Sequence, residues 1–271
     1  MQKSILYAFV LLLFAVACEP GKDSPIEPKE EPVKKCRLIK LIQGTHNGAV
    51  NDTTFNFYYD AAGKLNMVTD FYSGYPGIDS LSLTYNDSGK LVKIMHSEYF
   101  NPNGTTFTYT STGLLNEVNY RSMSTFDYMK MKFVYNGSST LPDKAVVLTL
   151  TTFGGTPKDS SEYRYTTQNG SIVSKEKFNS KGASSGKTTF EYDTIPNLST
   201  NVALIGLFDE PIGFADEVFY FSKYMIKTYS SHGYSYNVNY KLDSSKIVQG
   251  LTYYDQNPAP GATRNYFWEC Q

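Results

Sequence analysis

Apolar and polar residues alternate in short runs through most of this chain. Phe55, Phe57 and Tyr59 share one phase, as do Leu81, Leu83 and Tyr85, and Phe107 and Tyr109; Thr54, Asn56, Ser82, Thr84 and Thr108 occupy the other. A period of two puts each set on one face of a strand. Every run ends in a tyrosine that opens the same phrase. Tyr59-Asp-Ala-Ala-Gly63-Lys-Leu65-Asn-Met-Val68 is followed by Tyr85-Asn-Asp-Ser-Gly89-Lys-Leu91-Val-Lys-Ile94 and by Tyr109-Thr-Ser-Thr-Gly113-Leu-Leu115-Asn-Glu-Val118. Recurrence about every 25 residues marks a repeat architecture.

The phrase is a hairpin. Asp60, Asn86 and Thr110 can bond nearby backbone at the first position of a type I turn, and Gly63, Gly89 and Gly113 can close it in the left-handed conformation. Leu and Val or Ile then start the returning strand at a spacing of three, which strict alternation cannot place on one face. Either a bulge follows the turn or the strand is covered on both sides. Later copies decay. Phe133-Val-Tyr135-Asn-Gly137 keeps strand and turn, Tyr163-Arg-Tyr165 and Phe190-Glu-Tyr192 keep the aromatic alternation, and Tyr234–Tyr240 is a long alternating strand that turns into Lys246-Ile-Val248. Tyr266, Trp268 and Cys270 share a face of the last strand. Two strands per copy predict roughly 12–14 sequential antiparallel strands. One stretch departs from the pattern: Val202, Ile205, Phe208, Phe214, Val218 and Phe221 are spaced for a helix face, predicting one or two short helices within 201–224 that cover part of the sheet. The expected body, 36–271, is a single all-β domain, an antiparallel meander of repeated hairpins forming an open or partly closed barrel-like sheet.

The first 35 residues do not belong to that body. Lys3 precedes Ile5–Val16, a run of 12 apolar residues, too short to span a bilayer as a helix. It ends in Ala15-Val16-Ala17-Cys18, which resembles the lipobox of bacterial lipoproteins. That resemblance implies a signal peptide over 1–18 and an acylated Cys18 as the mature N-terminus. Residues 19–35, with Pro20, Pro25, Pro28 and Pro32 among charges, cannot bury enough apolar surface to fold and predict a disordered tether. The Tyr-[Asp/Asn]-x2-Gly-Lys-Leu core resembles the YD repeats of Rhs-type proteins. It is more similar to a group of Bacteroidetes-type lipoproteins of unknown function with such repeats and a porin-like β-meander fold. The resemblance implies an envelope location, as an outer-membrane lipoprotein facing the periplasm or the cell surface. It supplies no catalytic residues. It also brings Asp52-Thr53-Thr54, Asp79-Ser80-Leu81 and Asp193-Thr194-Ile195 forward as matches to an O-glycosylation acceptor of exported proteins in that phylum.

If Cys18 carries lipid, two cysteines remain, Cys36 and Cys270, at the two ends of the body. Thiols pair in an oxidising compartment, so a disulfide between them is expected.

Chemistry is otherwise sparse. His46, His96 and His232 lack metal-ligand spacing, no Gly-x-Ser-x-Gly elbow occurs, and Asp209-Glu210 and Asp216-Glu217 are explained as partners of helix N-termini. A net charge of −1 without a basic block argues against nucleic acid. The expectation is a protein that is not an enzyme and needs no metal or cofactor: a lipid-anchored module binding a glycan, peptide or protein partner. A structural or envelope-assembly lipoprotein without a small ligand is the alternative. An integral outer-membrane barrel or a hydrolase is less favoured, the barrel because Lys93, Lys130, Lys132 and Glu162 interrupt any lipid-facing band. With 23 Tyr and 17 Phe, a sheet covered on one face would expose many rings, which predicts a concave aromatic surface. The binding residues themselves are not legible.

Overall fold

Strands form where the alternation places them. The computed structural model describes residues 36–44, 53–72, 78–97, 103–121, 127–197, 218–231, 234–244, 247–254 and 260–270. Cys36–Glu269 forms one compact unit. The signal segment, the tether, Cys18, His46, His232 and residues 198–217, including both acidic doublets, lie outside the described residues.

The first half contains β1 (Cys36–Gly44), β2 (Thr53–Tyr59), β3 (Leu65–Tyr72), β4 (Ile78–Tyr85), β5 (Leu91–His96), β6 (Thr105–Tyr109), β7 (Leu115–Arg121) and β8 (Tyr128–Val134). Then come β9 (Lys144–Leu150), β10 (Pro157–Gln168), β11 (Ser171–Asn179) and β12 (Ser184–Pro196). A single helical turn, α1 (Val218–Phe221), precedes β13 (Tyr224–Ser231), β14 (Tyr234–Leu242), β15 (Val248–Tyr254) and β16 (Pro260–Cys270). Each strand pairs with the next, and β16 returns to β1, so the meander closes into a barrel. The described residues hold 16 strands where roughly 12–14 were expected from two per copy. Seven copies of two strands account for β2 to β15, and the strands beyond that count are β1, ahead of the first copy, and β16, after the last.

Tyr59, Tyr85 and Tyr109 end β2, β4 and β6, one hairpin apart. In each turn the predicted geometry is present. The Gly63 N–H donates to the Asp60 carbonyl at 2.9 Å, and the Lys64 N–H donates to Asp60 Oδ1 at 2.8 Å. Asn86 and Thr110 repeat both contacts. The spacing of three is explained by a bulge. Tyr59 faces Leu65 while Tyr58 faces Met67, leaving Asn66 unmatched. Val92 and Asn116 are extra at the same place in the next two copies. One added residue flips the phase, so Leu65 and Val68 both point inward and are 5% and 1% exposed.

The inward set, including Leu41, Phe55, Phe57, Leu83, Ile94, Phe107, Val118 and Phe133, forms one buried cluster. Wall side chains alone do not fill a ring of 16 strands. The segment before β13 contributes the rest: Val218 is fully buried in the cluster, and the Phe221 ring meets Phe133 edge-on at 5.1 Å. The described part of the expected helical stretch is therefore one turn packed inside the barrel, where a cover on the sheet had been expected.

The seam between β1 and β16 is held by side chains in antiparallel register. Arg37 pairs with Glu269, Lys40 lies over the Phe267 ring at 5.8 Å, and Arg264 Nε donates to Gln43 Oε1 at 3.0 Å. Cys36 and Cys270 are disulfide-bonded.

Two outcomes follow. Gly89 has a φ of +77° and open space around a added Cβ, with Lys64 Nζ nearest at 3.9 Å. Gly89→Val should lower stability by about 1–2 kcal/mol through backbone strain alone, read from the denaturation midpoint. Cys36→Ser opens a loop of about 235 residues, and chain entropy sets the loss at no more than about 5 kcal/mol. Titration of the unfolded, unreduced protein should find neither Cys36 nor Cys270 as a free thiol.

Candidate functional site

The two ends of the barrel differ. At one end lie the repeat turns; the other is a mouth whose interior is polar.

At the turn end the ladder between successive hairpins stops short. Between β5 and β6 it consists of Lys93 with Thr106 and Ile94 with Thr105, so the Leu91 carbonyl lies beyond it. Tyr109 Oη donates to that carbonyl at 2.8 Å. The same bond recurs around the barrel: Tyr59 to Leu38 at 2.7 Å, Tyr135 to Leu115 at 2.7 Å, and Tyr192 to Ile172 at 2.5 Å. Tyr240 donates to Ile226, and Trp268 Nε1 replaces the phenol on Val248 at 2.6 Å. Each bond satisfies a carbonyl the ladder leaves over, and each contributes about 1 kcal/mol. The lysine of Gly-Lys-Leu serves the next copy: Lys64 lies 5.1 Å from the Tyr85 ring centroid and Lys90 5.0 Å from that of Tyr109. Arg37 does the same for Tyr59 at 5.2 Å. The repeat residues Tyr59, Gly63, Leu65, Tyr85, Gly89, Leu91, Tyr109, Gly113 and Leu115 thus build and join hairpins.

Burial pushes the Tyr85 phenol up to about 12, with Tyr59 and Asp60 adding to it. Burial likewise raises Tyr59, Tyr109, Tyr135 and Tyr240.

Toward the mouth, the inward phase changes character. Directly opposed residues share a face. Tyr120, Met129, Thr149 and Asp159 form one inward row, and Val118, Met131, Val147, Ser161 and Asn179 the next. Tyr163 continues to Lys177, and Tyr165 to Lys175 and Thr188. Across the barrel, Asp70 lies opposite the inward Phe55 and His96 opposite Leu81. Here the structure encloses a cavity of about 320 Å³. Met129, Met131 and Val147 give it an apolar floor, and Tyr120, Tyr163, Thr149, Asp159, Lys177 and Asn179 bring polar groups to it. Lys175 Nζ lies 4.9 Å from the Tyr163 ring centroid. None of these residues was singled out as a site in the sequence. The signal that could have found them is the loss of apolar character in the inward phase at the strand ends away from the repeat turns.

The outer face is polar. Thr84, Lys93, Thr106, Asn119 and Lys130 form a continuous outward row across five strands. Glu117 pairs with Lys130 at 3.3 Å, and Glu162 with Lys144 at 2.7 Å and Arg164 at 2.6 Å. Hydrogen bonds from Lys144 and Arg164 hold the Glu162 carboxyl below its ordinary range. The expected concave aromatic surface is not found among the described residues, because closure turns the aromatic phase inward. Of the large apolar side chains left exposed among the described residues, Ile39, Tyr58 and Phe267 lie on the adjacent strands β1, β2 and β16, and Leu242 lies on β14. Of the three O-glycosylation matches, Thr53 is buried at 8% exposure, whereas Thr194 is exposed.

Two solved structures share this fold. They are porin-like proteins from Bacteroides uniformis ATCC 8492 (15% identical, TM-score 0.54) and Bacteroides vulgatus ATCC 8482 (13% identical, TM-score 0.53). Each likeness covers 86% of this chain and 98% of the other. At that identity it shows a common barrel and nothing finer. No protein-family model matches the sequence, and no curated protein matches it.

The phenols make a pH prediction. An unfolded tyrosine releases its proton near pH 10, while the folded chain holds Tyr85 protonated to about 12. The folded state therefore binds more protons in that window, and stability must fall as pH rises through it. The denaturation midpoint should be level through neutrality and drop above pH 10, together with the tyrosinate absorbance. Tyr109→Phe should lose about 1 kcal/mol at neutral pH and show a shallower alkaline drop.

Proposed function

We propose that this chain is a lipid-anchored module of a bacterial cell envelope, standing in water beside the membrane and binding a partner without catalysing a reaction. The observation that carries the reading is the inversion of the wall relative to a membrane pore. A lipid-spanning barrel has an apolar outer band and a polar lumen, and an outward Lys or Arg at mid-bilayer costs about 2–4 kcal/mol. Here Lys93, Lys130, Lys132 and Arg164 face outward, while Leu, Val, Ile and Phe fill the interior. The porin-like name of the two structural neighbours is compatible with a shared barrel and does not bring conduction to this chain.

Anchoring rests on the lipobox-like Ala15–Cys18. A chain acylated there and tethered through residues 19–35 would join the barrel at Cys36, on the turn end, leaving the polar mouth at the opposite end. An outer-membrane location is what the resemblance of the repeats to those of Bacteroidetes-type lipoproteins implies.

Membrane partition tests this. The native protein should label with palmitate, and Cys18→Ser should abolish the label. A chain beginning at residue 36 should stay in solution without detergent and give no ion current in planar bilayers. Detergent dependence or stepwise conductance would mark an integral barrel instead.

A further inference from the structure

Resting on that reading, we propose that the mouth cavity between β7 and β12 is a binding site for the terminal one or two sugars of an uncharged glycan. Its volume, about 320 Å³, falls at the lower end of small-ligand sites, about 300–1,000 Å³. That admits the end of a chain rather than a long segment, and the open mouth lets the remainder run outward.

The lining matches a pyranose. A sugar ring has weakly polar C–H faces and a rim of hydroxyls that both donate and accept. Met129, Met131 and Val147 supply an apolar floor, and the rings of Tyr120 and Tyr163 stand beside it. Around them are a carboxylate acceptor (Asp159), an ammonium donor (Lys177), an amide (Asn179) and the hydroxyls of Thr149 and Ser161. Asp159 Oδ1 accepts the Ser160 N–H at 2.8 Å, and its second oxygen is the acceptor for a sugar hydroxyl. The one carboxylate and one ammonium in the lining balance, which favours an uncharged ligand over an acidic one.

Topology speaks against the other partners. A peptide recruited by strand addition needs a free sheet edge, and a barrel in which β16 returns to β1 has none. The outer face mixes both signs of charge, and its exposed apolar side chains beside the seam, Ile39, Tyr58 and Phe267, lie among Arg37, Lys40 and Glu269.

The test uses the full-length protein in detergent micelles on an array of uncharged hexose- and N-acetylhexosamine-terminated glycans, with sialylated and uronic-acid glycans alongside. Binding to an uncharged set is expected, confirmed by calorimetry with the free oligosaccharide. Asp159→Ala and Lys177→Met, both at exposed positions, should each weaken it by about tenfold, the loss of one charge-assisted hydrogen bond. Thr84→Ala, on the outer face, should leave it unchanged. Binding unaffected by the two mouth variants would place the site elsewhere and overturn the proposal, as would preference for acidic glycans or no binding to any sugar. Partition and conductance are measured separately, on the chain beginning at residue 36 without detergent, so the sugar site can fail while the water-standing barrel survives.

Discussion

At the turn end of the barrel, neighbouring hairpins part before their strands end, and a backbone carbonyl is left beyond the last ladder bond. At six places among the described residues an aromatic side chain donates to it, from Tyr59 on Leu38 to Trp268 on Val248. A buried carbonyl without a partner is expensive, and a phenol is long enough to cross the gap while its ring fills the space beside the core. This single contact explains why the repeat must begin with an aromatic residue bearing a donor. The bulge after the turn is its counterpart within each hairpin: it brings both Leu and Val or Ile to the interior.

Closure follows from repetition, and its consequences reach the surface chemistry. Sixteen strands in sequence leave a first and a last edge, which the Arg37–Glu269 pair, the Arg264–Gln43 bond and the Cys36–Cys270 disulfide join. Once the edges are gone, one phase of every strand faces inward. The aromatic and aliphatic residues go to the core, with Val218 and Phe221 filling space the wall cannot, and the outside is left to Lys, Thr, Asn and Glu. An apolar interior and a polar exterior make a body suited to water. The interior phase turns polar only near the mouth, where Asp159, Lys177 and Asn179 replace the leucines of the turn end, and that change makes a cavity with mixed character.

The repeat decays along the chain without disturbing this plan. Phe178-Asn-Ser-Lys-Gly182 keeps the turn, with Asn179 Oδ1 accepting from the Lys181 and Ala183 N–H groups, yet it sits at the mouth end and its return begins with the exposed Ser184. At the original end Asp243 Oδ1 accepts the Ile247 N–H at 2.9 Å, as Asp60 accepts that of Lys64. The aromatic donor persists even where the glycine turn is lost: Tyr192 keeps its bond to the Ile172 carbonyl with Pro196 in the glycine's place.

What the sequence determined by itself was local. Alternation, an Asx or Thr at the turn, a glycine four residues after each tyrosine and the odd spacing of Leu65 and Val68 are short-range constraints; they sufficed for the hairpins and the positive φ of Gly63, Gly89 and Gly113, and they left a bulge and a double cover open until the register decided for the bulge. The cysteine arithmetic reached further because a covalent pair needs only a count and a compartment. Tertiary structure alone decided closure, the inward position of α1, the partner of each tyrosine and the site at the mouth. Tyr120, Asp159 and Lys177 stand tens of residues apart on separate strands, and no spacing rule links them. They meet because the register of four intervening pairings sets them on one inner wall, and register is a property of the assembled sheet.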